Sequence, residues 1–139
     1  MPYFSKKSKL KLEHCHPYLQ LILNKAIQFY DFSIICSYRN KFEQFDLFKK
    51  GRKLENGIWV IEDKNKIVTY NDGIKKKSLH NKLPALAVDI VPYPTLYSSE
   101  KEFYQLAGFV KLTAKFLGVE LVWGGDWRKI KDFPHFELG

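Results

Sequence analysis

The sequence predicts an α+β fold: a single domain with a mainly antiparallel sheet flanked by helices. Three observations lead there. Two segments, one after Pro17 and one after Ser99, place apolar residues at helical spacing. Four short runs, FSIIC, ALAVDIV, VELVW and HFEL, read as strands. No regular βαβ alternation relates the two kinds of element. Size agrees, since 139 residues with 45% hydrophobic content can build one real core but not two ordinary domains.

Taken in order, residues 1–11 are a basic lead-in. In HPYLQLILNKAIQFYDF, Pro17 suits a first helical turn and Leu19, Leu23, Ala26, Ile27 and Tyr30 recur on one face, which predicts an amphipathic helix. Phe32 to Cys36 follows as a buried strand that delivers Ser37, Tyr38 and Arg39 at its end. Asn40 and Glu43 have capping-box spacing for a short second helix with Phe45 and Phe48 on its apolar side and Gly51 as its stop. GIWVIEDKNKIVTY has apolar ends and a charged middle, and reads as an irregular hairpin or long flap. Ala85 to Val91 is the clearest strand, ended by the prolines of PYP. Ser99 and Glu102 cap a long helix whose core face is Phe103, Leu106, Ala107, Val110, Ala114 and Leu117, with Gly118 as the stop. A strand VELVW, a glycine corner GGDW and a terminal strand HFEL complete the chain.

The net charge of +8 favours anionic partners: nucleic acid, lipid headgroups or envelope polymers. Two cysteines, Cys15 and Cys36, make neither a disulfide framework nor a thiolate metal site, and both are expected as buried free thiols. The basic N-terminus lacks the apolar run of a signal peptide, and no segment is long and apolar enough to span a bilayer, so the expectation is a protein made in the cytoplasm. No glycine-rich phosphate loop is present.

Asp89 raises the question of chemistry. Alternation along ALAVDIV puts it on one face with Ala85, Ala87 and Val91, opposite Leu86, Val88 and Ile90. An ionised carboxylate there costs several kcal/mol unless a cation or metal offsets it. An isolated Asp would more simply cap a turn or pair with one of the 23 Lys and Arg residues. DFPHFEL, however, holds Asp132 three positions before His135 with Pro134 between them to turn the chain. Zinc hydrolases use three protein ligands and leave a fourth position to water. His80, Asp89 and His135 would supply those three ligands, and Asp132 a general base.

The order Ser78-x-His80, Ala87-x-Asp89, Asp132-x-x-His135 resembles the zinc D-Ala-D-Ala peptidases, a group that includes the vancomycin-resistance dipeptidases and carboxypeptidases and the L-alanyl-D-glutamate endolysins of bacteriophages. CHPYLQ, SYRNKFEQFDLFKKGR, SLHNKLPALAVDIVPYP, LAGFVKLTAKFLGVELVWGGDW and DFPHFEL follow in the order of the single-domain phage branch, and only a variable flap from about 54 to 77 lies outside the likeness. The resemblance implies a Hedgehog/DD-peptidase fold over residues 1–139, with one zinc ion on His80, Asp89 and His135. It implies Asp132 as the catalytic carboxylate and Arg39 as the donor that stabilises the oxyanion. Ser78 and Gln44 match supporting positions, Ser37 stands where the family often has Gly, and Asp126 and Trp123 belong to a WGGDW segment expected to order the cleft wall. More residues separate His80 from Asp89 than in many members, as in the phage branch.

The implied substrate is the stem peptide of peptidoglycan, cut either at L-Ala-D-Glu or at D-Ala-D-Ala. A monomer is expected, with no nucleic acid partner, acting in the periplasm after release through a holin-type pore. A thin-walled host would suit a chain with no wall-binding module. Two rival readings remain: a basic nucleic-acid-binding protein, motivated by KKSKLKL, KKGRK and KKK, and an inactive binding relative of the same fold. His14 and His16 could be imagined as a metal pair, but His16 is more simply a helix cap. Trp59, Trp123 and Trp127 are expected in the core.

Overall fold

The structure, a computed structural model, describes residues 2–94 and 99–139. One four-stranded antiparallel sheet organises it, in the order β1-β4-β6-β5, from β1 (Phe32–Cys36), β4 (Ala87–Pro92), β5 (Leu121–Trp123) and β6 (His135–Leu138). Helices α2 (Pro17–Ala26) and α4 (Glu100–Phe116) pack together beside it. Leu19, Ile22 and Leu23 of α2, Leu106 and Val110 of α4, and Val88, Ile90, Ile34 and Phe136 of the sheet form one continuous core. Burying each such large side chain contributes about 1.5–3 kcal/mol. The sheet therefore has a firmly packed side, and strand alternation sends Ala87 and Asp89 to the opposite face from Val88 and Ile90.

The caps follow the sequence. His16 is the N-cap of α2, its Nδ1 accepting from the Tyr18 N–H at 3.0 Å, with Pro17 as the first helical residue. Asn40 and Glu43 form a full capping box on α3 (Lys41–Lys49). The hairpin lies earlier than the sequence reading placed it: β2 (Arg52–Glu55) pairs with β3 (Ile58–Ile61) through a tight turn at Asn56 and Gly57, both at positive φ, while GIWVIEDKNKIVTY supplies only β3 and a 3-10 turn at Lys64–Lys66.

Several details differ from the sequence reading. The basic lead-in contains a helix, α1 (Lys6–Glu13), capped by Ser5, with Ser8 and Leu12 buried and the Ser8 hydroxyl accepting from the Ile34 N–H at 3.0 Å. Phe4, Ser8 and Leu12 recur every four residues, but the lysines between them mask the stripe. The strand at Ala85 starts two residues later, because Ala85 bridges in parallel to Cys15. Ser99 occupies the N-cap of α4, yet its side chain makes no cap hydrogen bond. Leu117 is the C-cap of that helix and is 43% exposed, while Thr113 takes the buried place. On α3 the fully buried residue is Gln44; Phe45 and Phe48 pack on one another, and Phe45 meets the edge of Trp59 outside the main core. Among the described residues, no helix is long and apolar enough to cross a membrane.

Candidate metal centre and catalytic cleft

Sheet register assembles the centre. Asp89 on β4 lies directly opposite His135 on β6 and, past a bulge, opposite Cys36 on β1, so three side chains that could ligate a metal stand in one row. The fourth group arrives from outside the sheet. Ser78 caps a single 3-10 turn, Leu79–Asn81, its hydroxyl accepting from the His80 N–H. The His80 carbonyl accepts from the Arg39 N–H at 2.8 Å, and Asn81 Nδ2 donates to the Arg39 carbonyl at 2.7 Å. The turn and the end of β1 are thereby locked together, and buried His80 points to Asp89 and His135.

The three donor atoms make an equal-sided triangle. His80 Nε2 to Asp89 Oδ1, His135 Nδ1 to Asp89 Oδ1, and His80 Nε2 to His135 Nδ1 are each 3.3 Å. Ligands about 2.0 Å from a tetrahedral ion stand about 3.3 Å apart, so this spacing fits one face of such a site. Protonation fits as well. His80 Nδ1 donates to the Ser37 carbonyl at 2.7 Å, leaving the Nε2 lone pair free, and His135 Nε2 donates to Glu137 Oε1 at 2.7 Å, leaving Nδ1 free. Two imidazole lone pairs and a carboxylate thus aim at one point, which favours a cation there.

Without a metal, only protons can relieve that convergence. Burial opposes charge on both imidazoles and is the largest single influence, yet the hydrogen bond and charge of Asp89, joined by Cys36 at His80 and Glu137 at His135, together outweigh it and raise both histidines above the ordinary value. Burial likewise opposes charge on Asp89, and its bonds to His135 and His80 win, holding the carboxyl well below the usual range.

Two wider groupings include Cys36 with His80 and Asp89, and Asp132 with Asp89 and His135, their ligating atoms within 4.8 Å of one another. The triangle is the better ligand set. Cys36 Sγ faces His80 Nδ1, already committed to Ser37, and accepts from Arg39 Nη2 at 3.4 Å. Asp132 lies farther out, where burial first and the neighbouring Asp89 second raise its pKa above the ordinary carboxylate value. A carboxylate made more basic in this way is suited to taking a proton.

Asp132 is held by backbone contacts: its N–H donates to the Gly124 carbonyl at 3.0 Å, and its own carbonyl accepts from the His135 N–H at 3.2 Å. Arg39 is held by Gln44, whose fully buried Oε1 accepts from Arg39 Nη1 at 2.8 Å, while Nη2 lies 3.6 Å from Asp89 Oδ2. Arg39, His80, Asp89, Asp132 and His135 all line one open cleft of about 940 Å³.

The other expected residues take different places. Ser78 lines the cleft but serves as a cap. Ser37 acts through its carbonyl, not its hydroxyl. Asp126 is paired with Lys111 at 2.6 Å, and Trp123 is buried, with its indole N–H donating to the Phe133 carbonyl; neither lines the cleft. Trp127, expected in the core, lines the cleft with its ring 5.0 Å from that of His135. Cys15 is a buried thiol that burial pushes up to about 12, whereas Cys36 is half-buried beside the site. Sequence reading missed Glu137 and Asn81. Glu137 was detectable, because on HFEL it stands two residues from His135 and so on the same face.

Residues 72–138 match a family described as D-alanyl-D-alanine carboxypeptidase. The chain is 32% identical over 127 residues to the peptidoglycan L-alanyl-D-glutamate endopeptidase CwlK of Bacillus subtilis (strain 168), a match covering 83% of this chain. The chain is thus similar to this peptidase family over its second half and to one of its endopeptidases over most of its length. The family match takes in His80, Asp89, Asp132 and His135, while Arg39 and Gln44 precede it. The chain spans 63% of the length of CwlK. The L-Ala D-Glu endopeptidase ChiX of Serratia marcescens shares the fold, with a TM-score of 0.74 at 23% identity over 99% of this chain and 91% of that one. The family is typically metal-dependent, in keeping with the donor set found here.

Proposed function

We propose that this chain is a zinc peptidase that hydrolyses the stem peptide of bacterial peptidoglycan, with His80, Asp89 and His135 holding one zinc ion, Asp132 acting as general base and Arg39 as oxyanion donor. The observation that carries the reading is the 3.3 Å triangle of free lone pairs with Asp132 and Arg39 beside it in one cleft. Two imidazoles and one carboxylate suit zinc, which when bound supplies Lewis acidity toward water and a peptide carbonyl. Asp132 takes the proton from the attacking water and passes it to the leaving amine. Arg39, fixed by Gln44 and always charged, donates to the oxygen on which negative charge develops.

The names of both relatives favour the bond between L-alanine and D-glutamate over a terminal D-Ala-D-Ala bond. The motif order of the single-domain phage branch favours a lysis enzyme of a phage or prophage that works as a monomer and reaches the wall through a separate pore. Digestion of purified muropeptides, with and without chelator, tests the function by mass spectrometry. Release of a peptide beginning with D-glutamate, abolished by chelator and restored by zinc, is expected. Loss of a single terminal alanine would instead make the chain a carboxypeptidase, and no zinc-dependent cleavage would refute the reading.

A further inference from the structure

The charge of the cleft is sorted by distance from its centre. Its acidic lining groups, Asp89, Asp132 and Glu137, are all in the metal centre or bonded to it. Away from that centre, every charged lining residue described is a cation: Lys76 and Lys77 just before His80, and Arg128, Lys129 and Lys131 just before Asp132. The first arm is built to hold its shape. The Asp72 carboxylate accepts from the N–H groups of Ile74, Lys75 and Lys76 at 2.8, 2.8 and 2.9 Å, and the Gly73 N–H donates to the Lys76 carbonyl at 3.0 Å. Gln44, the residue that fixes Arg39, also donates to the Asn71 carbonyl at 2.9 Å, tying this turn to the site. In the second arm Lys131 Nζ donates to the Gly125 carbonyl at 3.0 Å.

We infer that these two arms are carboxylate-recognition elements, so that the enzyme selects stem peptides whose carboxylates are free over the same peptides in amidated form. The inference rests on the peptidase reading above and deepens it. A glutamate joined through its amine to alanine and through its side chain to the next residue keeps one free carboxylate beside the scissile bond, and a dicarboxylic third residue adds another. Amidation removes that charge while leaving size and shape almost unchanged. A peptide with neutral flanks gains nothing from five cations, whereas an anionic one is drawn in and held by groups already in place.

The test uses the zinc-loaded protein and two soluble muropeptides, identical except that the glutamate and third-residue carboxylates are free in one and amides in the other. Expected is a kcat/KM for the free form higher by roughly tenfold or more, carried mainly by KM and shrinking as salt is raised. Lys76→Gln/Lys77→Gln and Arg128→Gln/Lys129→Gln should each slow the free peptide and narrow the ratio, with zinc content and thermal midpoint unchanged. Equal kcat/KM for the two peptides would overturn the inference and leave the peptidase reading standing. So would a ratio that neither double variant narrows. Cleavage of neither peptide would overturn both.

Discussion

Gly124→Ala tests how tightly Asp132, the proposed general base, is held. A Cβ at Gly124 would lie 2.3 Å from the Asp132 carbonyl oxygen, 3.0 Å from Asp132 Cβ and 3.1 Å from His135 Cβ. Nonbonded heavy atoms settle near 3.5 Å, so the Asp132 turn must retreat by about 1 Å, and backbone cannot swing aside as a flexible side chain can. The same glycine accepts from the N–H groups of Asp132 and Trp127 at 3.0 and 3.3 Å, so the retreat also loosens the bonds that orient the turn. Misplacing a catalytic group by about 1 Å costs on the order of 10²-fold in rate, and overpacking costs about 1–3 kcal/mol of stability. The assay is kcat/KM on muropeptides beside zinc content and thermal midpoint. Gly108→Ala is the control, since its Cβ would meet nothing within 4 Å on α4, and it should keep activity and gain slightly in stability. Wild-type activity and stability in Gly124→Ala would refute the argument that this contact positions Asp132.

Three further outcomes are expected. Arg39→Ala should lower kcat by roughly 10²–10³ with zinc retained, measured by steady-state kinetics and elemental analysis. Glu137→Ala removes the acceptor that fixes the His135 tautomer and should weaken zinc binding by about 10–100-fold in a competitive titration, with Glu137→Gln milder because it still offers an oxygen. Stripped of metal, the protein should be most stable between about pH 4 and 6.5, where Asp89 and both histidines can be charged together. Raised histidine pKa values contribute stability that is present below 6.5 and lost as pH rises through the folded values; the depressed Asp89 contributes stability lost as pH falls below about 4. Thermal midpoints of metal-free protein should therefore fall from pH 6.5 upward, and those of the zinc form should not.

Much of this was legible because it is written locally. The Asn40 and Glu43 capping box, Pro17 at the start of α2 and the β-branched run Phe32 to Cys36 each carry their own signal, and the structure has all three. The spacing of His80, Asp89 and His135 was readable, but their meeting depends on β4–β6 register and on the turn that Ser78 caps. Where the sequence misled, a local pattern lost to tertiary context. Four lysines hid the buried stripe of α1, and Leu117 continued an apolar period that the helix itself does not reach. Gln44 shows the reverse: a polar residue is fully buried because Arg39, Thr69 and Asn71 satisfy its amide. Those partners lie up to 27 residues away, so no window on the sequence could show them.

Zinc titration of His80→Ala, Asp89→Ala, His135→Ala and Asp132→Ala, each read beside its rate on muropeptides, tests the ligand assignment most directly. The wild-type protein should bind about one zinc per chain. Each of the first three variants should lose most of its affinity, since three protein ligands become two. Asp132→Ala should bind zinc as the wild type does and lose nearly all turnover. Metal loss in Asp132→Ala equal to that in His135→Ala, or full affinity in Asp89→Ala, would contradict the account.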